Sequence, residues 1–282
     1  MRQPALDPQR RRALRLLAAA CAAAALPPRR STAQAPNGRI ALVIGNGNYR
    51  TAPLKNPVGD ANAVAARLRQ LGFAVTLREN TTLRELIEAM RDFSLRAPQA
   101  AVRVFFYAGH GVQVKGRNYL VPVDSEPAAE DEIPGKSADV AEFIDRLSAL
   151  KHGVNVAILD ACRVNPFGGG VLVMADGRRV RFRGTAPAGL APLDAPPGTL
   201  IAYSTAPGGV ALDGADGRHS LYAKHLLAHL GTPGIPIEEM FKRVRIAVVE
   251  ETGRMQVPWE SSSLMSNFCF QPGPGGACGY GR

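Results

Sequence analysis

Two residues able to act as nucleophile and base occupy similar settings. Tyr107-Ala108-Gly109-His110-Gly111 ends the apolar run 102–107, and Leu159-Asp160-Ala161-Cys162-Arg163 ends the run 154–159. A cysteine attacks as the thiolate. A nearby imidazole takes its proton and later gives it to a leaving amine. Backbone N–H groups of Gly111 and Cys162 are candidates to hold the oxyanion of a tetrahedral intermediate. The glycines beside His110 give the backbone freedom and are expected to leave the ring uncovered. Taken singly, a cysteine after a buried strand is inert packing and a lone histidine is just polar. The pair at equivalent strand ends adds the catalytic reading, and both readings fit the pattern.

The surrounding chain alternates strands and helices. Strands are expected at 40–44, 73–77, 102–107, 154–159 and 199–203, and helices at 60–71, 82–95, 139–150, 221–230 and 237–251. Ala61, Val64, Ala65, Leu68 and Leu71 share one helix face, and Gly72 stops that helix. Thr82 with Glu85 forms a capping box. The rhythm predicts an α/β fold, a mostly parallel sheet with helices on both faces. Such sheets place functional groups just past the carboxyl ends of their strands. Between 168 and 197 the rhythm fails. This stretch is expected to be a long exposed loop with a short hairpin near 171–174. It holds Arg178, Arg179, Arg181 and Arg183.

The 282 residues carry a formal charge of +10, which first suggests an anionic partner such as nucleic acid. Its distribution argues otherwise. Residues 1–35 hold seven arginines and one aspartate, leaving 27 basic and 23 acidic residues, or +4, for the rest. Arg10, Arg11, Arg12 and Arg15 precede an eleven-residue apolar run, and Ala33-Gln34-Ala35 offers a cleavage site. This is the pattern of an export leader, and Arg11-Arg12 also permits a twin-arginine route. The expected location is periplasmic or secreted, with membrane contact only through the leader. Beyond the leader remain Cys162, Cys269 and Cys278. Cys269 and Cys278 are close in a Gly/Pro-rich tail, 271–282, that is expected to be mobile; they could pair in an oxidising compartment, leaving Cys162 free.

Further motifs extend the pattern. Leu42-Val43-Ile44-Gly45-Asn46 comes first, then Leu54-Lys55-Asn56-Pro57 with Asp60-Ala61. Asn118 to Asp124 reads NYLVPVD, and Asn165-Pro166-Phe167 follows the cysteine. Ile201 to Gly208 reads IAYSTAPG, and Gln256 to Glu260 reads QVPWE. With the histidine and cysteine motifs, in this order, the chain from about 39 to 270 resembles the caspase-like cysteine peptidases. Its branch resembles the bacterial metacaspases and orthocaspases.

The resemblance implies a caspase-like fold with a six-stranded sheet. It divides the domain, 36–270, into a large half to about 167, a linker 168–197 and a small half 198–270. It implies His110 as general base and Cys162 as nucleophile, acting on a peptide or protein substrate. Asp60 and Asp160 match the acidic positions that hold a substrate arginine or lysine, a pairing that suits a bidentate guanidinium. From the sequence itself Asp60 reads equally as a helix N-cap. Three positions depart from the family pattern: Ala108 stands for serine, Pro57 for cysteine and Val164 for aspartate. In this family the linker is often cut during maturation, so an arginine-specific enzyme would cut itself at Arg178, Arg179, Arg181 or Arg183; the plain alternative is a solvated loop. No cofactor is expected, and no metal site is assigned. Calcium activates some relatives, and Glu130, Asp131, Glu132 and Asp139 are the acids here, without EF-hand spacing. Related enzymes are often monomers.

Rival chemistries are weaker. Gly45-Asn46-Gly47 lacks the third glycine of a dinucleotide loop, with Arg50 in its place. No G-x-S-x-G elbow occurs. His225 and His229 lack the glutamate of a zinc-binding helix. The remaining alternative is an inactive caspase-like scaffold that binds partners. Such scaffolds usually lack the cysteine, the histidine or both.

Overall fold

The computed structural model describes residues 38–162, 169–173, 179–183, 190–206, 211 and 217–279; for Cys162, 169–173 and 179–183 it describes the backbone alone. The expected leader, 1–35, lies outside the described residues, as do Val164 and Arg178.

The central strands are almost uniformly apolar because both of their faces are covered. They are β1 (Gly38–Gly45), β2 (Ala74–Glu79), β3 (Ala100–Val114), β6 (Val154–Cys162), β9 (Thr199–Tyr203) and β10 (Trp259–Ser262). Their order across the sheet is β10-β9-β6-β3-β1-β2. All neighbours run parallel except β10, which is antiparallel to β9. Alternate residues divide the core in two. Val43, Val104, Phe106, Ile158 and Ala202 pack on α1 (Pro57–Gln70), α5 (Leu221–His229) and α6 (Ile237–Glu251). Leu42, Phe105, Tyr107, Leu159 and Ile201 pack on α2 (Leu83–Arg96) and α4 (Val140–Ser148). The expected α/β architecture is therefore present. No described helix is long and apolar enough to cross a membrane.

Several boundaries have clear local causes. Thr82 and Glu85 form the expected capping box of α2, and Asp139 caps α4 through the amides of Ala141 and Glu142. Gly45 lies so close to α1 that a Cβ there would sit 2.4 Å from the Pro57 carbonyl oxygen.

Other expectations need correction. The third strand does not end at Tyr107 but runs on to Val114, because β6 pairs it as far as His110 and β4 (Arg117–Leu120) folds back to pair with Gly111–Val114. The turn between them uses Lys115 (φ 49°) and Gly116 (φ 80°), both left-handed, the geometry of a tight hairpin. A two-residue strand β5 (Ala138–Asp139) follows the short helix α3 (Ile133–Lys136) and pairs with β4.

Within the linker the expected hairpin is present, over more residues than 171–174. β7 (Gly169–Val173) and β8 (Arg179–Arg183) form a separate antiparallel hairpin. Arg179, Arg181 and Arg183 thus lie on a paired strand backbone. At the far end of the linker, Leu190 and Ala191 are buried. Asn118 Nδ2 donates to the Ala191 carbonyl (2.8 Å) and its Oδ1 accepts the Ala191 N–H (2.6 Å). The tail is tied down as far as 279. Cys269 and Cys278 form a disulfide. Gly234 N donates to Gln271 O and Gly279 N to Gly234 O. Glycine and proline make this segment turn, and the crosslink fixes the turn.

Candidate active site

His110 lies within β3 and Cys162 at the last residue of β6. The two face one another as the final pair of the parallel β3–β6 ladder. Neighbouring strands are about 4.8 Å apart, so the backbone brings base and nucleophile positions side by side. Gly109 adopts φ 153°; a Cβ there would lie 2.6 Å from the Tyr49 hydroxyl and 2.8 Å from that of Tyr107. At Gly111 it would lie 3.0 Å from both the Ala161 Cβ and the Leu190 Cδ2. The glycines are needed for close approach, and they do not leave the imidazole uncovered. His110 is only 6% exposed.

A single loop builds the cradle around His110. The ring of Tyr49 tilts across the imidazole with centroids 4.3 Å apart. Its hydroxyl accepts the His110 N–H at 2.9 Å and donates to the Val121 carbonyl at 3.1 Å. The Tyr107 hydroxyl lies 2.9 Å from the carbonyl oxygens of both His110 and Val121. Nε2 of His110 lies 2.7 Å from the carbonyl oxygen of Ala52. An acceptor there requires the proton on Nε2, which leaves the Nδ1 lone pair as the base in the neutral ring. Nδ1 is buried and has no hydrogen-bond partner among the described residues. Burial pushes the imidazole pKa below its usual value, against the opposing pull of the Ala52 carbonyl. Ala52 holds φ 55°, a costly conformation for alanine; the loop is pinned by Leu54 N to Gly47 O and by Asn80 Oδ1, which accepts the Gly47 and Asn48 amides.

The two acids predicted from sequence also come together. Asp60 is in the first turn of α1, but Asn56 occupies the N-cap, so the capping reading of Asp60 does not hold. Asp60 is 1% exposed and Asp160 is 7%. His219 Nδ1 lies 2.7 Å from Asp60 Oδ1, and the Ser220 N–H donates to Asp60 Oδ2 at 3.1 Å. The Ser220 hydroxyl donates to Asp160 Oδ2 at 2.5 Å while accepting the Ala223 amide as N-cap of α5. Ser220 thus links a helix, a strand and a second helix. Tyr222, the second residue of α5, has a buried hydroxyl without a partner among the described residues, and burial with the nearby Asp160 charge pushes its pKa well up.

Tyr49, Ala52, His219 and Ser220 were not evident as site residues in the sequence. Ala52 acts through a carbonyl, which leaves no side-chain signature. Ser220 before an apolar helix does carry a signal, that of an N-cap. Of the four acids weighed for calcium, Asp139 bonds Arg117 and caps α4, and Glu132 accepts from Lys136 and the Ala128 amide. No cluster of metal-ligating side chains occurs among the described residues.

Comparison with known proteins places this geometry. The caspase-domain peptidase model matches residues 38–269. The human mucosa-associated lymphoid tissue lymphoma translocation protein 1 is 34% identical over 126 residues, and its mouse homolog is 32% identical over 126. Each match covers 44% of this chain and only 15% of the relative's length. With the parallel sheet and the match over almost all of the described chain, the protein belongs to the caspase-domain family of cysteine peptidases.

Proposed function

We propose that the chain is a cysteine endopeptidase in which His110 and Cys162 form the catalytic dyad and Asp60 and Asp160 select arginine or lysine. The observation that carries the dyad is the buried Nδ1 of His110, without a partner among the described residues, on the residue facing Cys162 in the ladder. In this reading Nδ1 takes the thiol proton and the thiolate attacks the scissile carbonyl carbon. The resulting oxyanion is held by the backbone N–H groups of Gly111 and Cys162, which stand where β3 and β6 part. The imidazolium, steadied by the Ala52 carbonyl, then protonates the leaving amine. Water attacks the thioester, releases the acid and restores the thiol.

The substrate preference rests on two carboxylates that bond the same residue, Asp60 the Ser220 N–H and Asp160 the Ser220 hydroxyl. Their combined charge favours a guanidinium or ammonium and disfavours an acidic side chain. Self-processing is expected at Arg178, Arg179, Arg181 or Arg183; the β7–β8 pairing must open there to present an extended chain. The Cys269–Cys278 disulfide supports an exported, oxidising setting, in line with the leader at 1–35.

Fluorogenic peptides ending in arginine, lysine or aspartate test the reading. Turnover after arginine and lysine, with Cys162 labelled by a chloromethyl ketone, is expected. Absence of both turnover and labelling would favour the scaffold alternative. Turnover after aspartate alone would overturn the acidic selection and leave the dyad standing.

A further inference from the structure

The acidic pair is already engaged by the chain itself. Three donors from one short segment meet it: the His219 ring, the Ser220 amide and the Ser220 hydroxyl. They are not equivalent. Ser220 is 8% exposed, caps α5 and orients both carboxylates, so it is a fixed part of the frame. His219 has a side chain 30% exposed over an Asp60 side chain that is 1% exposed. Among the described residues bonded to Asp60, it is the one that reaches solvent.

Resting on the arginine and lysine reading above, we propose that His219 is a specificity-determining gate, a resident donor on Asp60 Oδ1 that only a cationic substrate side chain displaces. Rotation of the imidazole about its side-chain bonds uncovers Oδ1. Ser220 meanwhile keeps Oδ2 of Asp60 and Oδ2 of Asp160 in place. An arginine fork or a lysine ammonium replaces the lost donor with its own N–H groups. A neutral or acidic side chain offers no such replacement, and opening the gate for it gives up the His219 bond to a buried carboxylate with nothing in exchange. Discrimination thus comes partly from the penalty on wrong substrates.

His219→Ala and His219→Gln in the full chain test this. Benzamidine, a compact cationic probe, is titrated calorimetrically, which needs no turnover, and KM is measured for peptides ending in arginine and lysine. Removing the resident donor is expected to tighten benzamidine and lower the arginine KM, each by roughly fivefold to tenfold, with kcat changed less than twofold. Glutamine keeps a donor and is expected to fall between wild type and alanine. Asp60→Asn is expected to abolish benzamidine binding in either background. Unchanged or weaker binding in both His219 variants, with Asp60→Asn still abolishing it, overturns the gate and leaves the acidic pocket intact. Benzamidine binding and arginine cleavage that survive both Asp60→Asn and Asp160→Asn overturn the pocket, and the gate with it. If the alanine variant does not fold, the glutamine variant decides alone.

Discussion

The two ends of the sheet treat buried charge in opposite ways. At the amino end Arg103 is fully buried, with no carboxylate partner among the described residues. Nε donates to Ala97 O, Nη1 to His152 O and Asn155 Oδ1, and Nη2 to Ala100 O and His152 Nδ1. Those bonds match all five donors of a guanidinium. Nearby Arg39 donates to the carbonyls of Leu71, Cys269 and Phe270 and lies over the Phe73 ring at 4.5 Å. At the carboxyl end the His110 Nδ1 and the Tyr222 hydroxyl have no partner among the described residues, and an imidazole partly exposed to water covers Asp60. The first end is saturated and serves to hold. The second retains unused hydrogen-bonding capacity, and a substrate can add only where capacity remains.

The largest effects that test this contrast belong to the open end. His110→Ala or Cys162→Ala should lower kcat/KM by roughly 10²–10⁴ or more with little change in melting temperature. A comparable loss of stability would mean that these residues hold the fold as Arg103 does. At the closed end, Arg103→Met strands several buried carbonyl groups. It should cost about 3 kcal/mol or more in denaturant unfolding while the surviving folded fraction keeps its kcat. Reduction of Cys269–Cys278 removes a short loop constraint beside Arg39. It should cost about 2–3 kcal/mol, again without a catalytic effect. If reduction instead changed KM, the two ends would be coupled.

The smallest effect is a shift in pH dependence. Because the folded pKa of His110 lies below that of the unfolded chain, the unfolded state binds the extra proton first. Stability from this residue is intact above the unfolded value of about 6.5 and is lost as pH falls from there toward the folded pKa. The acid limb of kcat/KM should fall on the same side, below about 6.5. A limb above that value would contradict a buried neutral imidazole.

The sequence read best where one periodicity and one cap decided the outcome. The strand 199–203 and the helix 237–251 match β9 and α6 residue for residue, and Thr82 with Glu85 marks the start of α2. It read less well where pairing partners decide. Only its partners β6 and β4 carry β3 past Tyr107, and β10 forms because β9 offers it an edge. As candidates, His110 and Cys162 were legible from their strand-end positions, and Asp60 and Asp160 through the family resemblance. The Ala52 carbonyl and the position of His219 over Asp60 were not, since each depends on where a remote loop comes to rest.

The clasp between Asn118 and Ala191 bears on how a cut in the linker would be noticed. A break at 178–183 leaves a new amino terminus only a few residues before Leu190, which is buried, and before β9, which sits between β6 and β10. The small half would stay woven into the sheet. A nicked molecule would keep its hydrodynamic size and separate only in denaturant, and two separately expressed halves should be able to complement one another.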